Sequence, residues 1–584
     1  MFSKSEVLNI IKCKDSTSVL LGTVSGVAST KPSLIRFFNE DVNAIDVITT
    51  KSFQVKKNDG NREPIICEPK LGTFGNSVGL RNPGMEVALA QLKKLRKKNP
   101  ITKILNVSVS ASSPEDFILL IKTFEDVADI IELNFSCPHA ASGYGSSIGC
   151  DVSIAEDYVK KIKQEIPNSR ALIFAKLTPN VKNISEIAKA VIDAGADGIT
   201  AINTVGPELY IEENSGKAIL NNKLGGKGGK SGLDIFERAV IAITEIRKAV
   251  GKDIPIFGMG GVANGEQVAK LINAGANIVG VGSVLGRVHQ KNWINYLSAL
   301  KSDAIKELSG VKKNTTSEFI INEKRLEYIP KKIISRYKDS KDVVILTLDG
   351  EMPFFAGEFV FVWIPGIGEK PFSLALPKPI TIEIKRRGKF TKAIFDLNVG
   401  DTVYIRGLYG APVKYAKTKH AVLLAGGTGI AVLPMLAQTL TENGCKISTY
   451  IGTSEEKLRE QNQIEEFLIR LGSYNCVADN GVPGRVIKTM ENDIKNKACG
   501  FNNFVIEDET NFAAYLVGPM IFMKTAAEML KSMNVPTKNI FISFEMNTMC
   551  GIGICGECAC GKKLTCQYGT FFTYAEYESA LKDA

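Results

Sequence analysis

Five of the chain's twelve cysteines crowd into residues 550–566, "CGIGICGECACGKKLTC". Cys550, Cys555, Cys558 and Cys566 follow the spacing C-x4-C-x2-C-x7-C. Plant-type [2Fe–2S] sites take C-x4-C-x2-C and a more distant fourth cysteine, because three thiolates from one tight loop must converge on a small inorganic core. Gly551, Gly553 and Gly556 permit the turns such a loop needs. Structural zinc is the competing reading, and its paired C-x2-4-C halves fit the spacing less well. Cys560 is a spare thiol two residues past Cys558.

Other chemistry-bearing residues lie upstream. "LAGGTGIAVLPM" (424–435) places glycines between an apolar strand pattern and a helical one, the arrangement that brings backbone amides to a pyrophosphate. "NFSCPH" (134–139) sets the lone Cys137 after an apolar strand pattern, where the competing reading is an inert buried thiol. Cys150, in "SSIGCD", lies past the glycine-rich "SGYGSS".

The elements that must position these residues change character along the chain. Within 1–302, β-branched runs at 18–26, 44–52, 102–110, 130–137, 172–178, 198–205, 254–261 and 277–283 read as strands. Helical patterns such as 85–98 and 183–196 stand between them. Eight βα units predict a (β/α)8 TIM barrel with its site at the C-terminal strand ends, where Lys51, Cys137, Lys176, Asn203 and Ser283 fall. Polar residues 303–319 read as a linker. Short strands without long helices over 320–413 predict an antiparallel β-barrel. Strand–helix alternation over 414–535 predicts an α/β domain, and 536–584 a small cysteine-bearing domain.

Composition bounds the rest. The chain is 44% hydrophobic and 23% charged, as soluble globular proteins are, and its net charge of +10 comes from scattered lysines. No basic stripe with interleaved aromatics points to nucleic acid. The opening "MFSKSEVLNIIKCKD" is charged throughout and unlike a secretory leader. The longest apolar run, 421–437, holds three glycines and a proline and reads as strand, turn and helix, not a membrane span. Thinly spread remaining cysteines fit a reducing cytoplasm.

"GEKPFSLA" (368–375), "GLYGAPV" (407–413), the glycine turn and "VGPM" (517–520), ahead of the cysteine loop, resemble the ferredoxin-reductase-like electron-transfer subunit of NAD-dependent dihydroorotate dehydrogenases. The resemblance covers about 320–584. It implies FAD held at Lys370, Pro371, Phe372 and Ser373, with lysine in place of the family's arginine. Lysine keeps the charge and loses the bidentate fork. It also implies NAD at Gly426, Gly427, Thr428, Gly429, Gly518 and Pro519, and [2Fe–2S] at Cys550, Cys555, Cys558 and Cys566. Val517 stands where a cysteine is common, and "ADNGVPGRV" (478–486) is a shortened nucleotide-side loop that leaves NAD versus NADP open.

"TKSFQ" (50–54), "GNSVGLRNPG" (75–84), "NFSCPH", "AKLTPN" (175–180), "INTVG" (202–206), "GGKSG" (228–232), "GMGG" (258–261) and "GVGS" (280–283) resemble class 1 dihydroorotate dehydrogenases across nearly all of 1–300. That resemblance implies FMN at the barrel mouth, contacted by Ser25, Lys51, Asn106, Asn134, Lys176 and Ile202. Gly232, Gly260, Gly261, Gly282 and Ser283 would cradle its phosphate. Substrate contacts fall at Lys51, Asn76, Ser77, Val78, Gly79, Leu80, Asn134, His139, Asn203 and Thr204. Dihydroorotate oxidation removes a proton from C5 and a hydride from C6. Cys137 is the expected base, and Cys150 matches none in the family.

His139 replaces a common asparagine, and "SCPH" also occurs in dihydropyrimidine dehydrogenase, so NAD(P)H-dependent reduction of uracil or thymine is the alternative reading. A plain loop role for His139 stands beside it. A third reading makes the barrel an inert platform and the C-terminal half a reductase for a protein acceptor. His289 and His420 read as surface positions. The expected whole is a fused cytoplasmic enzyme, a homodimer through the barrel, that takes a small-molecule substrate and NAD and binds neither membrane nor nucleic acid.

Overall fold

In the computed structural model, eight parallel strands close into a barrel in the order Leu21–Thr23, Ile278–Val281, Ile256–Met259, Gly198–Ala201, Leu172–Lys176, Ile130–Asn134, Ile104–Val109 and Val47–Thr49. The structure describes all residues except 13–17, 29–30, 137–145, 455–460, 483, 500, 502–510, 545 and 584. The chain divides into two units: Met1–Glu327 with Ile552–Lys562, and Tyr328–Gly551 with Lys563–Ala584.

In the first unit the eight expected strands all form. They read as apolar runs because a parallel sheet is buried on both faces. The helices between them have local causes. Pro114–Phe124 starts with a proline after Ser113, whose side chain accepts from Asp116 N, and buries Phe117, Leu120, Ile121 and Phe124 at helical spacing. Gly265–Ala274 is capped by the Asn264 side chain and ends at Gly275, left-handed at φ 117°.

Side chains alternate across a strand, so every second residue faces the barrel interior. Ile104, Ile130 and Leu172 enter an apolar cluster with Val47 and Ile278, and helix Lys4–Lys12 adds Val7 and Ile11 to it. Each such side chain stabilises the fold by about 1.5–3 kcal/mol. Two and four residues further along the same strands stand Asn106 and Ser108, Glu132 and Asn134, and Phe174 and Lys176. The interior thus passes from apolar to polar toward the C-terminal strand ends.

A four-stranded antiparallel sheet in the order Ile66–Lys70, Thr73–Asn76, Lys227–Gly232, Val205–Leu209 belongs to the same unit. Its glycine-rich strands carry no hydrophobic period, and the sequence did not announce them. Helix Trp293–Leu308 runs six residues into the stretch read as linker, because Leu300, Asp303 and Ala304 continue its buried face.

The second unit holds two sheets. Seven strands between Ile329 and Tyr409 form a curled antiparallel sheet, as expected of a further β-barrel domain. The other sheet runs Ser473–Ala478, Lys446–Thr453, His420–Gly426, Phe512–Val517 and Ile540–Ser543 in parallel, with Phe571–Thr573 antiparallel at its edge. Its strand order reverses between His420–Gly426 and Phe512–Val517. His420 is not at the surface: it is 1% exposed, stacks on Phe501 at 4.6 Å, and shares a 2.9 Å hydrogen bond with the Ser448 hydroxyl. It opens a central strand, and burial follows from that place. Among the described residues no helix is long and apolar enough to cross a membrane.

Candidate active site

The polar ends of the barrel strands form one buried hydrogen-bonded chain. The hydroxyls of Ser25 and Ser52 are 3.1 Å apart, and those of Ser52 and Ser108 are 2.9 Å apart. Ser108 donates to Glu132 Oε1 at 2.9 Å, and Lys176 Nζ reaches the same oxygen at 3.4 Å. A branch leaves Ser52: Asn134 Nδ2 donates to its hydroxyl at 3.0 Å, Ser136 Oγ donates to Asn134 Oδ1 at 2.9 Å, and Asn203 Nδ2 donates to Ser136 Oγ at 2.8 Å. Asn203 Oδ1 accepts from Thr204 N at 2.8 Å. The structure therefore joins Ser25, Asn134, Lys176, Asn203 and Thr204, five of the residues read from sequence. The connectors Ser52, Ser108, Glu132 and Ser136 were missed. A glutamate inside "IIELNF" was the signal for one of them, since a buried carboxylate needs a partner.

Three buried atoms of this region have no hydrogen-bond partner among the described residues: Asn106 Oδ1, Glu132 Oε2 and Thr200 Oγ1. An unsatisfied buried polar group costs about 1–3 kcal/mol, so this lining suits a polar ligand able to meet it. Asn106 is held by its other end, Nδ2 donating to Thr49 Oγ1 at 3.2 Å. Lys51 is buried, and a Cβ built on Gly26 would stand 3.5 Å from its Nζ. Ile202 is buried just after its strand.

The glycines come together as well. Gly260 and Gly261 follow Ile256–Met259 with φ of 137° and 74°. A Cβ on Gly261 would stand 2.6 Å from the Gly232 carbonyl oxygen, and one on Gly232 2.1 Å from that of Gly72. Gly282 follows Ile278–Val281, where a Cβ would meet Val24 at 2.7 Å, and Ser283 opens a short 3-10 helix. No side chain fits in this cradle, which leaves its backbone amides accessible to a phosphate.

A cleft of about 720 Å³ is lined by Asn58, Asn61, Gly79, Leu80, Ser110 and Asn222, with Lys56, Lys57 and Lys223 against Asp116. Ser77 Oγ accepts from Asn61 Nδ2 at 2.9 Å and from Asn222 Nδ2 at 2.7 Å. Asn76 Nδ2 donates to Gly229 O at 3.1 Å, while Val78 is half-buried. Lys57 is paired with Asp59 at 2.9 Å, and Lys56 and Lys223 beside Asp116 leave an excess of positive charge that suits an anionic ligand. Cys137 and His139 lie outside the described residues. The strand Ile130–Asn134 and buried Phe135 and Ser136 lead up to them. Cys150 is exposed.

In the second unit, Lys370, Pro371, Phe372 and Ser373 occupy the edge strand Gly368–Ser373, half-buried. Glu369, on the face of that strand opposite Lys370 and Phe372, enters a buried cluster that sequence reasoning missed. Arg406 Nε and Nη2 donate to Glu369 Oε2 and Oε1 at 2.8 and 2.6 Å, and Tyr328 Oη donates to Oε2 at 2.7 Å. Arg406 Nη1 also reaches Tyr409 Oη at 2.7 Å and Cys550 O at 3.0 Å. Charged residues in a strand read as solvated, so nothing marked this pair.

Gly426 ends the strand His420–Gly426 and Gly518 follows Phe512–Val517, the adjacent strands at which the parallel sheet reverses order. A Cβ on Gly518 would lie 3.3 Å from Gly426 N, and one on Gly426 3.5 Å from Pro519 Cδ. Gly427 has φ 58°, and Gly427, Thr428 and Gly429 begin a 3-10 turn that leads into helix Leu433–Glu442. The crevice at such a reversal is where open α/β sheets bind ligands.

Cys550, Cys555, Cys558 and Cys566 are buried and free of disulfides, and Cys560 is half-buried. Gly551, Gly553 and Gly556 between them have φ of 83°, 83° and 73°. Buried cysteines outside disulfides are the donor chemistry of an iron–sulfur site. Among the described residues no three His, Cys, Asp or Glu side chains form a metal-holding group.

A family model described as dihydroorotate dehydrogenase matches residues 20–297. The chain is 40% identical over 237 residues to "Dihydroorotate dehydrogenase B (NAD(+)), catalytic subunit" of Methanocaldococcus jannaschii, covering 40% of this chain and 74% of that protein. The protein of the same name from Methanothermobacter thermautotrophicus is 36% identical over 275 residues, 47% of this chain and 84% of its own. "Dihydroorotate dehydrogenase A (fumarate)" of Lactobacillus helveticus is 36% identical over 246 residues, 42% and 76%. On this similarity across the barrel, the chain belongs to the dihydroorotate dehydrogenase family of oxidoreductases.

Proposed function

We propose that the chain oxidises dihydroorotate to orotate and delivers the electrons to NAD+. The observation that carries the reading is the buried chain Ser25–Ser52–Ser108–Glu132–Lys176, with its Asn134–Ser136–Asn203 branch and its unmet polar atoms, in a barrel of this family. Lys176, fixed by Glu132, would hold one edge of FMN, and Gly232, Gly260, Gly261, Gly282 and Ser283 its phosphate. Lys370 to Ser373 would hold FAD, and Gly426 to Gly429 with Gly518 and Pro519 would hold NAD at the sheet reversal. The cysteine spacing and burial support [2Fe–2S] at Cys550, Cys555, Cys558 and Cys566. When bound, FMN supplies the hydride acceptor for substrate C6, and the cluster and FAD supply carriers between it and NAD+.

The chain's own residues do the rest. Asn203, oriented by Ser136 and Thr204, and Asn134, oriented by Ser52, present amide donors and acceptors to the alternating edge of the pyrimidine ring. The lysines at the cleft favour the substrate carboxylate. The Cys137 thiolate takes the C5 proton. A thiol near its free pKa of about 8.5 serves once deprotonated. Overall, dihydroorotate and NAD+ give orotate, NADH and one proton. The described cysteines form no disulfide, which agrees with a cytoplasmic setting.

The test is anaerobic stopped-flow reduction of the flavin by dihydroorotate in the wild type and Cys137→Ser. Loss of a general base slows the step by about 100- to 10,000-fold. Wild-type speed in the variant removes Cys137 from its role. Uracil reduction without dihydroorotate oxidation would instead favour the dihydropyrimidine dehydrogenase reading that His139 motivates.

A further inference from the structure

Among the residues of the eight barrel strands only two are charged, Glu132 and Lys176, and Lys51 follows two residues after Val47–Thr49. All three are buried, at 0%, 4% and 6% exposure for Glu132, Lys176 and Lys51. Glu132 stands two residues before Asn134 on the same face of its strand, and Asn134 is the lateral neighbour of Lys176. The carboxylate thus lies one step deeper in the barrel than two side chains assigned to FMN. Its two oxygens differ. Oε1 accepts from Ser108 Oγ at 2.9 Å and from Lys176 Nζ at 3.4 Å, whereas Oε2 has no donor among the described residues. The other elements against this strand bring no charge: Ile104–Val109 has no titratable side chain, and helix Pro114–Phe124 buries Phe117, Leu120, Ile121 and Phe124. A wholly buried carboxylate with one bare oxygen keeps a negative potential around it that water and salt screen little.

We propose that Glu132 lowers the reduction potential of the FMN assigned above to the barrel, an inference that rests on that assignment. Glu132 acts as a positioning residue, through Lys176 and through its own field. A flavin that receives a hydride gains negative charge, which Lys51 and Lys176 stabilise and Glu132 opposes. With both ammonium groups and no carboxylate, the reduced flavin would hold its electrons more firmly, against their passage to NAD+. The hydrogen bond from Ser108 fixes where the opposing charge stands.

The test is a spectroelectrochemical titration of the full chain followed by flavin absorbance, with FMN and FAD counted by extraction beforehand. Glu132→Gln keeps the shape and removes the charge. It is expected to shift the reduction equilibrium of one flavin toward the reduced form by about tenfold or more, which for two electrons is about 30 mV, and to leave any other flavin unmoved. Glu132→Asp, which keeps the charge, is expected to stay within about threefold of wild type, the same two-electron conversion applying. An FMN-loaded Glu132→Gln chain with no flavin raised, or with two flavins moved alike, overturns the inference. So does a shift in Glu132→Asp as large as that in Glu132→Gln. If Glu132→Gln retains no FMN, Ser108→Ala decides. Without the hydroxyl donor the carboxylate is less compensated, so the equilibrium should move toward the oxidised form by about threefold, and no movement or the opposite one overturns the inference. A wild-type chain that yields no FMN overturns the FMN reading itself, and the extraction shows this before any titration begins.

Discussion

Removing either half of the Glu369–Arg406 pair should cost far more than removing both. Both side chains are 0% exposed, so neither charge has water to fall back on. Glu369 accepts three hydrogen bonds, two from Arg406 and one from Tyr328. The guanidinium also lies 4.0 Å from the centre of the Phe361 ring. Glu369→Met leaves a buried cation without its counter-charge and Tyr328 Oη without its acceptor. Arg406→Met leaves a buried carboxylate. Breaking a buried pair from one side costs about 3–5 kcal/mol, whereas replacing both partners by apolar residues of similar volume is often neutral or stabilising. With a urea m-value of about 2.5 kcal/mol per molar, each single variant should lower the unfolding midpoint by about 1–2 M. The double variant should recover most of that.

The assay is urea unfolding followed by tryptophan fluorescence. The chain has two tryptophans, Trp293 and Trp363. In a Trp293→Phe background the signal comes from Trp363, whose ring centre is 4.6 Å from that of Tyr328. Single variants that shift the midpoint by less than about 0.4 M, or a double variant no better than the sum of the singles, would refute the argument.

Two further outcomes follow from buried groups. Burial, then the charge of Lys446, lower the His420 pKa to about 4. Its free value is about 6.5, so the unfolded chain binds the extra proton first. His420 therefore adds stability in full above about pH 6.5 and loses it as pH falls toward 4. The total is about 3 kcal/mol. His420→Phe should flatten the midpoint-versus-pH curve between pH 6.5 and 5, and an unaltered slope would contradict the burial argument. Gly232→Ala should release FMN, read as flavin content after gel filtration, because its Cβ would stand 2.1 Å from the Gly72 carbonyl at a φ of 96°. Gly251→Ala is the control: its φ is 78°, nothing lies within 4 Å of the added carbon, and flavin retention should match wild type.

The barrel was legible in the sequence because parallel strands covered on both faces leave an unbroken apolar signature, and the helices between them carry caps and a 3.6-residue period. The sheet containing "KGGKSG" was not, since glycines hold no pattern to read. The same limit applies to the site. Asn134, Lys176 and Asn203 stand in recognisable motifs, but the serines that connect them look like any other serines until the closed barrel brings separate strands together. Arg406 and Glu369 are 37 positions apart, and only the antiparallel pairing of their strands with Phe359–Ile364 makes them partners. His420 misled because a lone polar residue at the start of a strand gives no hint whether the strand is central or at an edge.

The gradient along the barrel strands divides labour within single segments. In Ile130–Asn134 the first residue joins the apolar cluster and the last joins the hydrogen-bonded chain, two positions on either side of the buried Glu132 carboxylate. Substitutions late in a strand can retune which molecule is welcomed without disturbing what keeps the cylinder shut. A scaffold arranged this way can drift in selectivity while its foundation stays fixed.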